Sequence, residues 1–530
     1  MVARMSTRRL VVWITFLAVF AMSARISMDT DTWWHLRAGQ WIMEHGAVPQ
    51  VDMFSYTRAG QSWQYPGWLV EVPMYLIYRI LGPAGMNLWT AGMVTLAFAF
   101  LWRTLEGGAF LRAFVTILAV TVSGVYWAAR PYLVTFVLAA VYLLILEEYR
   151  WRRSDAARRR LWWLPLLMVF WANSHGGFLV GFILWGIYAG SELIALMRNH
   201  IPHSLGTLFR ISYFVSRNSN LEGDHLPATT HQSRRGIINV FHEIPNTQYS
   251  IFLVGLVMLA AVCFNPSGPI MLIYPFKTVS IGALQDYIQE WQSPDFHSLS
   301  VQPFIWLLLA TLAAVGSSRR RLVFTDFLLV AVFAYLGLMA GRNIALFALT
   351  APPVMARHLA PVLAALIRKL GYHPPTIDVV RPGQALLNRV MLALIVLAVF
   401  LKVATVLPNA VNERAFAKNL PIEAVAFLKK SERPQGRLFN SYNWGGYLLW
   451  ALPEYPVFID GRTDLYDDAI IDEWLTVMRA EPGWVQVLGH YNVDLALIET
   501  GSTLARELSE QPDWRLAHQD DLAVIYQRSR

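Results

Sequence analysis

Charge is scarce in this chain, and cysteine is scarcer still. Of 530 residues only 15% are Asp, Glu, Lys or Arg, while 55% are hydrophobic. A soluble globular chain carries about 25% charged residues, so this one lacks the polar surface to cover itself in water. Its one cysteine, Cys263, sits inside an apolar run. A lone thiol excludes an intramolecular disulfide and a cysteine metal cluster, and reads as a small buried hydrophobe. The sequence also has no P-loop, no glycine-rich dinucleotide fingerprint and no His-Glu-x-x-His pair. These absences argue against an ATP-driven pump and against a nucleotide-sugar donor held by a Rossmann domain. They leave a secondary transporter open, although no internal repeat of fixed period is visible.

What the chain has is apolar length. About twenty apolar residues cross a 30 Å hydrocarbon core. Eleven segments qualify or come close: 10–26, 84–103, 112–129, 131–149, 161–173, 177–197, 251–264, 303–316, 323–341, 344–366 and 388–406. Those at 161–173 and 251–264 are short for a span. Arg4, Arg8 and Arg9 before the first run, with Ala21-Met-Ser-Ala24 after it, also fit a secretory signal peptide. The run continues to about Ile26 and many spans follow, so an uncleaved first helix is the expectation.

The net charge of +8 has to be placed before it is interpreted. Segments 1–9, 104–111, 150–160, 198–250, 317–322 and 367–387, with helix-end residues included, hold 23 Lys or Arg. The opposite face before residue 407 holds 8. The positive-inside bias then puts the N-terminus in the cytoplasm and, with an odd span count, the C-terminus outside. No nucleic-acid motif accompanies these charges, so no nucleic-acid partner is expected. The stretch 198–250 is polar and His-rich, and reads as a partly unstructured cytoplasmic segment.

Two outer loops are long. Residues 27–83 form the first, with Trp33–His45 and Gly67–Leu81 as helices at the membrane interface; residues 265–302 form the second. From about 407 the pattern changes. Short β-type runs at Arg437–Asn440, Pro456–Asp460, Val493–Ile498, Trp514–His518 and Leu522–Gln527 alternate with helical stretches at Ile422–Lys430 and Asp467–Ala480. The fold class expected is therefore mainly α: a polytopic helical membrane bundle over 1–406, then a small extracytoplasmic α/β domain over 407–530.

The densest polar cluster outside the spans is Asp29-Thr-Asp31-Thr-Trp-Trp-His35, directly after the first one. Carboxylates and an imidazole at a membrane surface are costly to leave unpaired. One reading is a carboxylate that deprotonates an acceptor or binds a cation. The other is capping, with Asp31 or Thr32 starting a helix whose tryptophans form an interfacial belt. Arg130, Lys277 and Arg342 each lie near an outer span end, where they suit a phosphate or snorkel to headgroups. His175, in Asn173-Ser-His-Gly-Gly177, and the loop acids Asp286, Glu290 and Asp295 are further candidates. Asp460-Gly-Arg-Thr-Asp464 reads as a strand-ending turn with an internal Arg–Asp pair, or as an acceptor-side or lid contact.

A first span ending in acidic residues, a long outer loop with helices, many further spans and an outer α/β domain together resemble the GT-C superfamily. Those are membrane glycosyltransferases using polyprenyl-phosphate sugars, among them protein O-mannosyltransferases, lipid A aminoarabinose transferases and oligosaccharyltransferases. The strings Asp31-Thr-Trp-Trp-His-Leu-Arg-Ala-Gly39, Asp52-Met-Phe-Ser-Tyr-Thr57, Trp68-Leu-Val-Glu71, Trp171-Ala-Asn-Ser-His-Gly-Gly177 and Asn440-Ser-Tyr-Asn-Trp-Gly-Gly-Tyr447 resemble uncharacterised bacterial members. The resemblance implies a catalytic acid at Asp29 or Asp31, without choosing between them. By residue type and position, substrate contacts are expected from His35, Arg130, His175, Lys277, Glu290 and Arg342, and the resemblance implies a bacterial plasma membrane. It also implies a lipid-linked sugar as donor and a glycan, lipid or protein as acceptor. No resident cofactor or metal ligand is assigned, and a divalent cation is left open. A non-catalytic lipid-glycan binding or assembly protein and a secondary transporter are the alternative readings.

Overall fold

A computed structural model describes residues 5–200, 249–371, 380–430 and 436–529. Residues 201–248, most of the segment read above as cytoplasmic, and residues 372–379 therefore lie outside the described residues. In chain order the first helices are α1 Thr7–Ser23, α2 Thr32–His45, α3 Trp68–Leu81, α4 Pro83–Trp102, α5 Ala109–Ser123, α6 Tyr132–Arg152, α7 Asp155–Leu161, α8 Trp163–Ala172 and α9 Leu179–His200. Long helices follow at Ser250–Val262, Gln302–Ser317, Phe324–Met339, Ile344–Lys369 and Pro382–Ala404. Each of the eleven apolar segments holds a helix. Six of these, counted with their flanking 3-10 turns, are long and apolar enough to cross a membrane, and the others are shorter.

Burial sorts the helices. The side chains of α6 are buried along most of its length, so this helix is apolar all round and sits inside the bundle. Only Ala385, Asn388 and Val403 of Pro382–Ala404 are buried, leaving that helix an apolar outer face. Charges within the bundle are paired. Arg357 reaches Asp326 at 2.6 Å and Glu106 at 3.3 Å, and also pairs with Glu147. Arg150 shares Asp326 at 2.6 Å. Such residues are tolerated inside a bundle because they meet each other rather than lipid.

The loop helices do not form an outward tryptophan belt. Trp33 and Trp34 of α2 are buried, Trp33 meeting Tyr78, Phe416 and Tyr447 edge-on. Gly39 lets α2 close onto α3, because a Cβ there would strike the Glu71 carbonyl.

The C-terminal domain carries one sheet of β1 Arg437–Asn440, β2 Val493–Glu499, β3 Trp514–Gln519 and β4 Ala523–Arg528, in the order β1-β2-β4-β3. β1 and β2 are parallel and the remaining pairs antiparallel. The run Pro456–Asp460, read as a strand, is not in this sheet. The Asn440 side chain takes its backbone groups, accepting from Phe458 N at 2.8 Å and donating to Ile459 O at 2.8 Å. Val457 instead pairs with the first outer loop, accepting from Tyr56 N and donating to Phe54 O, both at 3.2 Å. The helix expected at Asp467–Ala480 begins earlier, at Thr463, and kinks where Asp467 takes φ 52°.

A buried arginine fastens the domain to that loop. Arg462 pairs with Asp460 at 2.7 Å and with Asp52 at 2.6 Å, all three side chains excluded from solvent. Its guanidinium lies 4.8 Å from the Trp63 ring and 5.3 Å from Phe54. Removing one member of a buried pair leaves an uncompensated charge and costs about 3–5 kcal/mol. Arg462→Leu should therefore lower the thermal unfolding temperature of the detergent-solubilised chain markedly. Arg462→Lys should recover only part of the loss, since an ammonium lacks the planar fork. An Arg462→Leu protein that unfolds at the wild-type temperature would contradict this tie.

Candidate functional site

After α1 the chain runs extended from Ala24 to Thr30 and is stitched to the segment before α6. Ser27 Oγ accepts from Ala129 N at 3.0 Å, Thr32 Oγ1 donates to Ala129 O at 3.1 Å, and Arg25 donates to Trp127 O at 2.5 Å. This stitching sets Arg130 against the two carboxylates of residues 29–31. Its Nε donates to Asp29 Oδ1 at 2.6 Å, and its Nη1 lies 3.0 Å from Asp31 Oδ2. The same nitrogen reaches Glu290 at 3.4 Å, and the other Glu290 oxygen lies 3.6 Å from Arg342. Arg342 in turn lies over the Trp291 ring at 4.2 Å. The result is an alternating row of carboxylates and guanidinium groups.

Asp31 occupies the N-cap position of α2, yet its side chain makes no capping hydrogen bond. Asp29 Oδ1 accepts from Asp31 N at 2.9 Å instead. Asp31 therefore does not cap α2 through its side chain, and its carboxyl pairs with Arg130 instead. Burial pushes that carboxyl up to about 7, with Asp29, Glu290 and Asp460 adding to the rise and Arg130 opposing it. Burial also works against ionisation of Glu290, but Arg130 and Arg342 hold its carboxyl below the usual range.

Both candidate histidines are kept neutral. Burial, aided by Arg342 and Arg130, lowers His175 to about 3. Its Nδ1 accepts from Gly177 N at 3.0 Å and lies 2.9 Å from Thr135 Oγ1, which leaves the ring proton on Nε2. His35 is lowered well below its usual value by burial, then by Arg130 and His175. Its Nδ1 lies 2.8 Å from Glu71 and 3.0 Å from the Tyr65 hydroxyl. Burial raises Glu71 well above the carboxylate range, so a neutral acid faces a neutral imidazole.

Asp29, Asp31, His35, Arg130, His175, Glu290 and Arg342 all line one cavity of about 820 Å³. One wall is apolar, with Phe136, Val180, Ile183, Leu336 and Leu346; another is the turn Gly461, Thr463 and Asp464 of the C-terminal domain. Lys277 does not join them. It is exposed, while Tyr274 and Thr278 of the same short helix face the cavity. Asp286 and Asp295 are exposed as well, and Asp295 pairs with His297. Arg25, Tyr65 and Tyr274 are among the cavity residues not singled out from the sequence; Tyr274 donates to Asp464 of the 460–464 turn at 3.0 Å. Glu71 lies behind the wall they form, and its signal was an acid inside the apolar helix α3.

Among the described residues no three His, Cys, Asp or Glu are gathered as a metal ion requires. Arg130 already bridges the three carboxylates.

No family model and no curated protein matches the sequence. Solved structures do match. The archaeal oligosaccharyltransferase AglB from Archaeoglobus fulgidus, in complex with an inhibitory peptide and a dolichol-phosphate, aligns with a TM-score of 0.52 at 11% identity. That alignment covers 98% of this chain and 74% of that one. The apo form of the Archaeoglobus fulgidus oligosaccharyltransferase gives 0.50 at 12% identity, over 92% and 69%. ArnT from Cupriavidus metallidurans bound to undecaprenyl phosphate gives 0.49 at 14% identity, over 98% and 97%. At such identities the likeness to the oligosaccharyltransferase structures is one of fold alone.

The electrostatics are measurable. Infrared difference titration, with Asp31→Asn as the blank, should show Asp31 ionising near pH 7. Arg130 favours the ionised form, so Arg130→Gln should move the midpoint to higher pH. A midpoint near pH 4 in the wild type, the ordinary aspartate range, would refute the burial argument.

Proposed function

We propose that this protein is a membrane glycosyltransferase moving a sugar from a polyprenyl-phosphate donor to an extracytoplasmic acceptor, with Asp31 as the base. The observation that carries this reading is the Asp31 carboxyl: it caps nothing, and it faces Arg130 in a cavity with one apolar wall. The dolichol-phosphate and inhibitory peptide held together by AglB support a lipid phosphate and a peptide meeting in this fold. Six helices able to cross a membrane and the distribution of Lys and Arg support a bacterial plasma-membrane protein with its C-terminal domain outside.

The chemistry follows from the residue types. Ionised Asp31 takes the proton from an acceptor hydroxyl, and that oxygen forms a bond to the anomeric carbon of the donor sugar. The bond from that carbon to the phosphate oxygen breaks, and its electron pair leaves with the polyprenyl phosphate. Arg130 and Arg342, with Arg25 nearby, supply positive charge where that phosphate gains negative charge. Being neutral, His175 offers a hydrogen-bond donor from Nε2 without neutralising Asp31. The apolar wall takes the first isoprene units of the lipid. Asp464, Tyr274 and Thr463 form the side open to an acceptor.

The test uses purified full-length protein and a panel of undecaprenyl-phosphate sugars, with native mass spectrometry for binding and released undecaprenyl phosphate for turnover. Asp31→Asn should bind donor as the wild type does while turnover falls about 10²- to 10⁴-fold. Turnover should rise with pH through about 7, where Asp31 becomes the free base. Binding without turnover by wild type in the presence of an acceptor extract would favour a lipid-glycan binding protein. No binding across the panel would refute the proposal for those sugars.

A further inference from the structure

The turn 460–464 belongs to the C-terminal domain, yet it forms the cavity wall behind Asp31. A Cβ placed on Gly461 would meet three atoms first, and all three belong to the Asp31 carboxyl: Oδ1 in hard overlap, Cγ at 2.8 Å and Oδ2 at 3.4 Å. Gly461 is not among the residues of positive φ, so its backbone does not require glycine. What requires it is space. The main chain of residue 461 packs directly on the carboxyl group, with Arg130 on that group from another side.

The turn is also immobilised. Asp460 and Arg462 flank Gly461, both buried and paired, and Arg462 is tied onward to Asp52. Thr463 Oγ1 lies 2.8 Å from the Tyr442 hydroxyl, and Asp464 accepts from Tyr274. A second close approach stands beside it, where a Cβ on Gly446 would come within 2.6 Å of the Thr30 carbonyl. Two glycines of the C-terminal domain therefore admit the segment that carries Asp31.

We infer that Gly461 is a positioning residue: by lacking a side chain it lets the 460–464 turn back the Asp31 carboxyl against Arg130. A methyl group at position 461 drives that carboxyl out of line with the guanidinium. Asp31 is the far end of a short side chain, so it yields before the two ion-paired walls do. The catalytic consequence rests on the proposed function above, but the packing contact does not.

A thermal unfolding cycle on the full-length detergent-solubilised chain tests the contact without any turnover. Gly461→Ala should lower the unfolding temperature in the wild-type background and do so by less than half as much in Asp31→Ala, where the new methyl has room. Equal losses in both backgrounds overturn the inference. Should Gly461→Ala alone fail to fold, a folded Asp31→Ala/Gly461→Ala double variant sustains it, and an unfolded one overturns it. With any undecaprenyl-phosphate sugar turned over by wild type, Gly461→Ala should cut kcat about 10- to 100-fold, since displacements near 1 Å carry such costs. Its donor KM should stay within about threefold, because the displaced group is the base and not the lipid or phosphate contact. The ascending limb of its pH profile should move to higher pH as Arg130 loses contact. An unchanged kcat and pH limb overturn the inference even where Asp31→Asn is inactive. A wild type that turns over nothing counts against the proposed function alone, and the unfolding cycle still decides on Gly461.

Discussion

One guanidinium, that of Arg130, stands among three carboxylates, and the site depends on it. Asp29, Asp31 and Glu290 come from two loops far apart in sequence, and like charges at such range repel. Arg130 contacts all three at 3.4 Å or less, and Arg342 shares the third. With two cations the row can be buried in one cavity without the carboxylates expelling each other. The balance is uneven in a useful way. Glu290 lies between two arginines and stays ionised, while Asp31 has one and is pushed up by burial to about 7. Environment alone shifts two carboxyl groups with one kind of chemistry in opposite directions.

The neighbouring histidines obey the same logic. Both are buried beside arginines, and both are held uncharged. Two imidazolium ions in that place would compete with Arg130 for its carboxylates. Neutral, they keep the role of hydrogen-bond donors. Glu71 and Tyr65 behind His35 do not charge it either, since Glu71 is itself raised by burial. The cavity thus keeps its formal charge on a short row of residues and lets the rest of its polar lining act as dipoles.

Much of this was legible in the sequence where the signal is local. Long apolar runs mark helices because lipid leaves few alternatives, and all eleven segments hold one. Asp29, Asp31 and His35 stand out as a polar cluster beside an apolar run. Helix phase misled at Lys277, whose neighbours Tyr274 and Thr278, four residues apart, point at the cavity while it faces outward. Pro456–Asp460 has the composition of a strand, but the Asn440 side chain occupies backbone groups that a sheet neighbour would take. The contact of Gly461 with Asp31 was beyond reach, because it depends on the pairing of Arg462 with Asp52 across 410 residues. Periodicity carries no trace of such a pairing.

That separation has a consequence in time. Asp31 and Asp52, which receive the 460–464 turn, are made long before it. Through most of synthesis Asp52 waits without Arg462, and Asp31 has Arg130 but no wall behind it. The helices between them can pack as they emerge, their internal charges matched by neighbours such as Arg357 and Asp326. Contacts between distant stretches of chain form late, after the loop between them is closed. A chain made only as far as the bundle therefore leaves the Asp31 carboxyl open on the side that the 460–464 turn covers, and the cavity is complete only when the C-terminal domain seats itself.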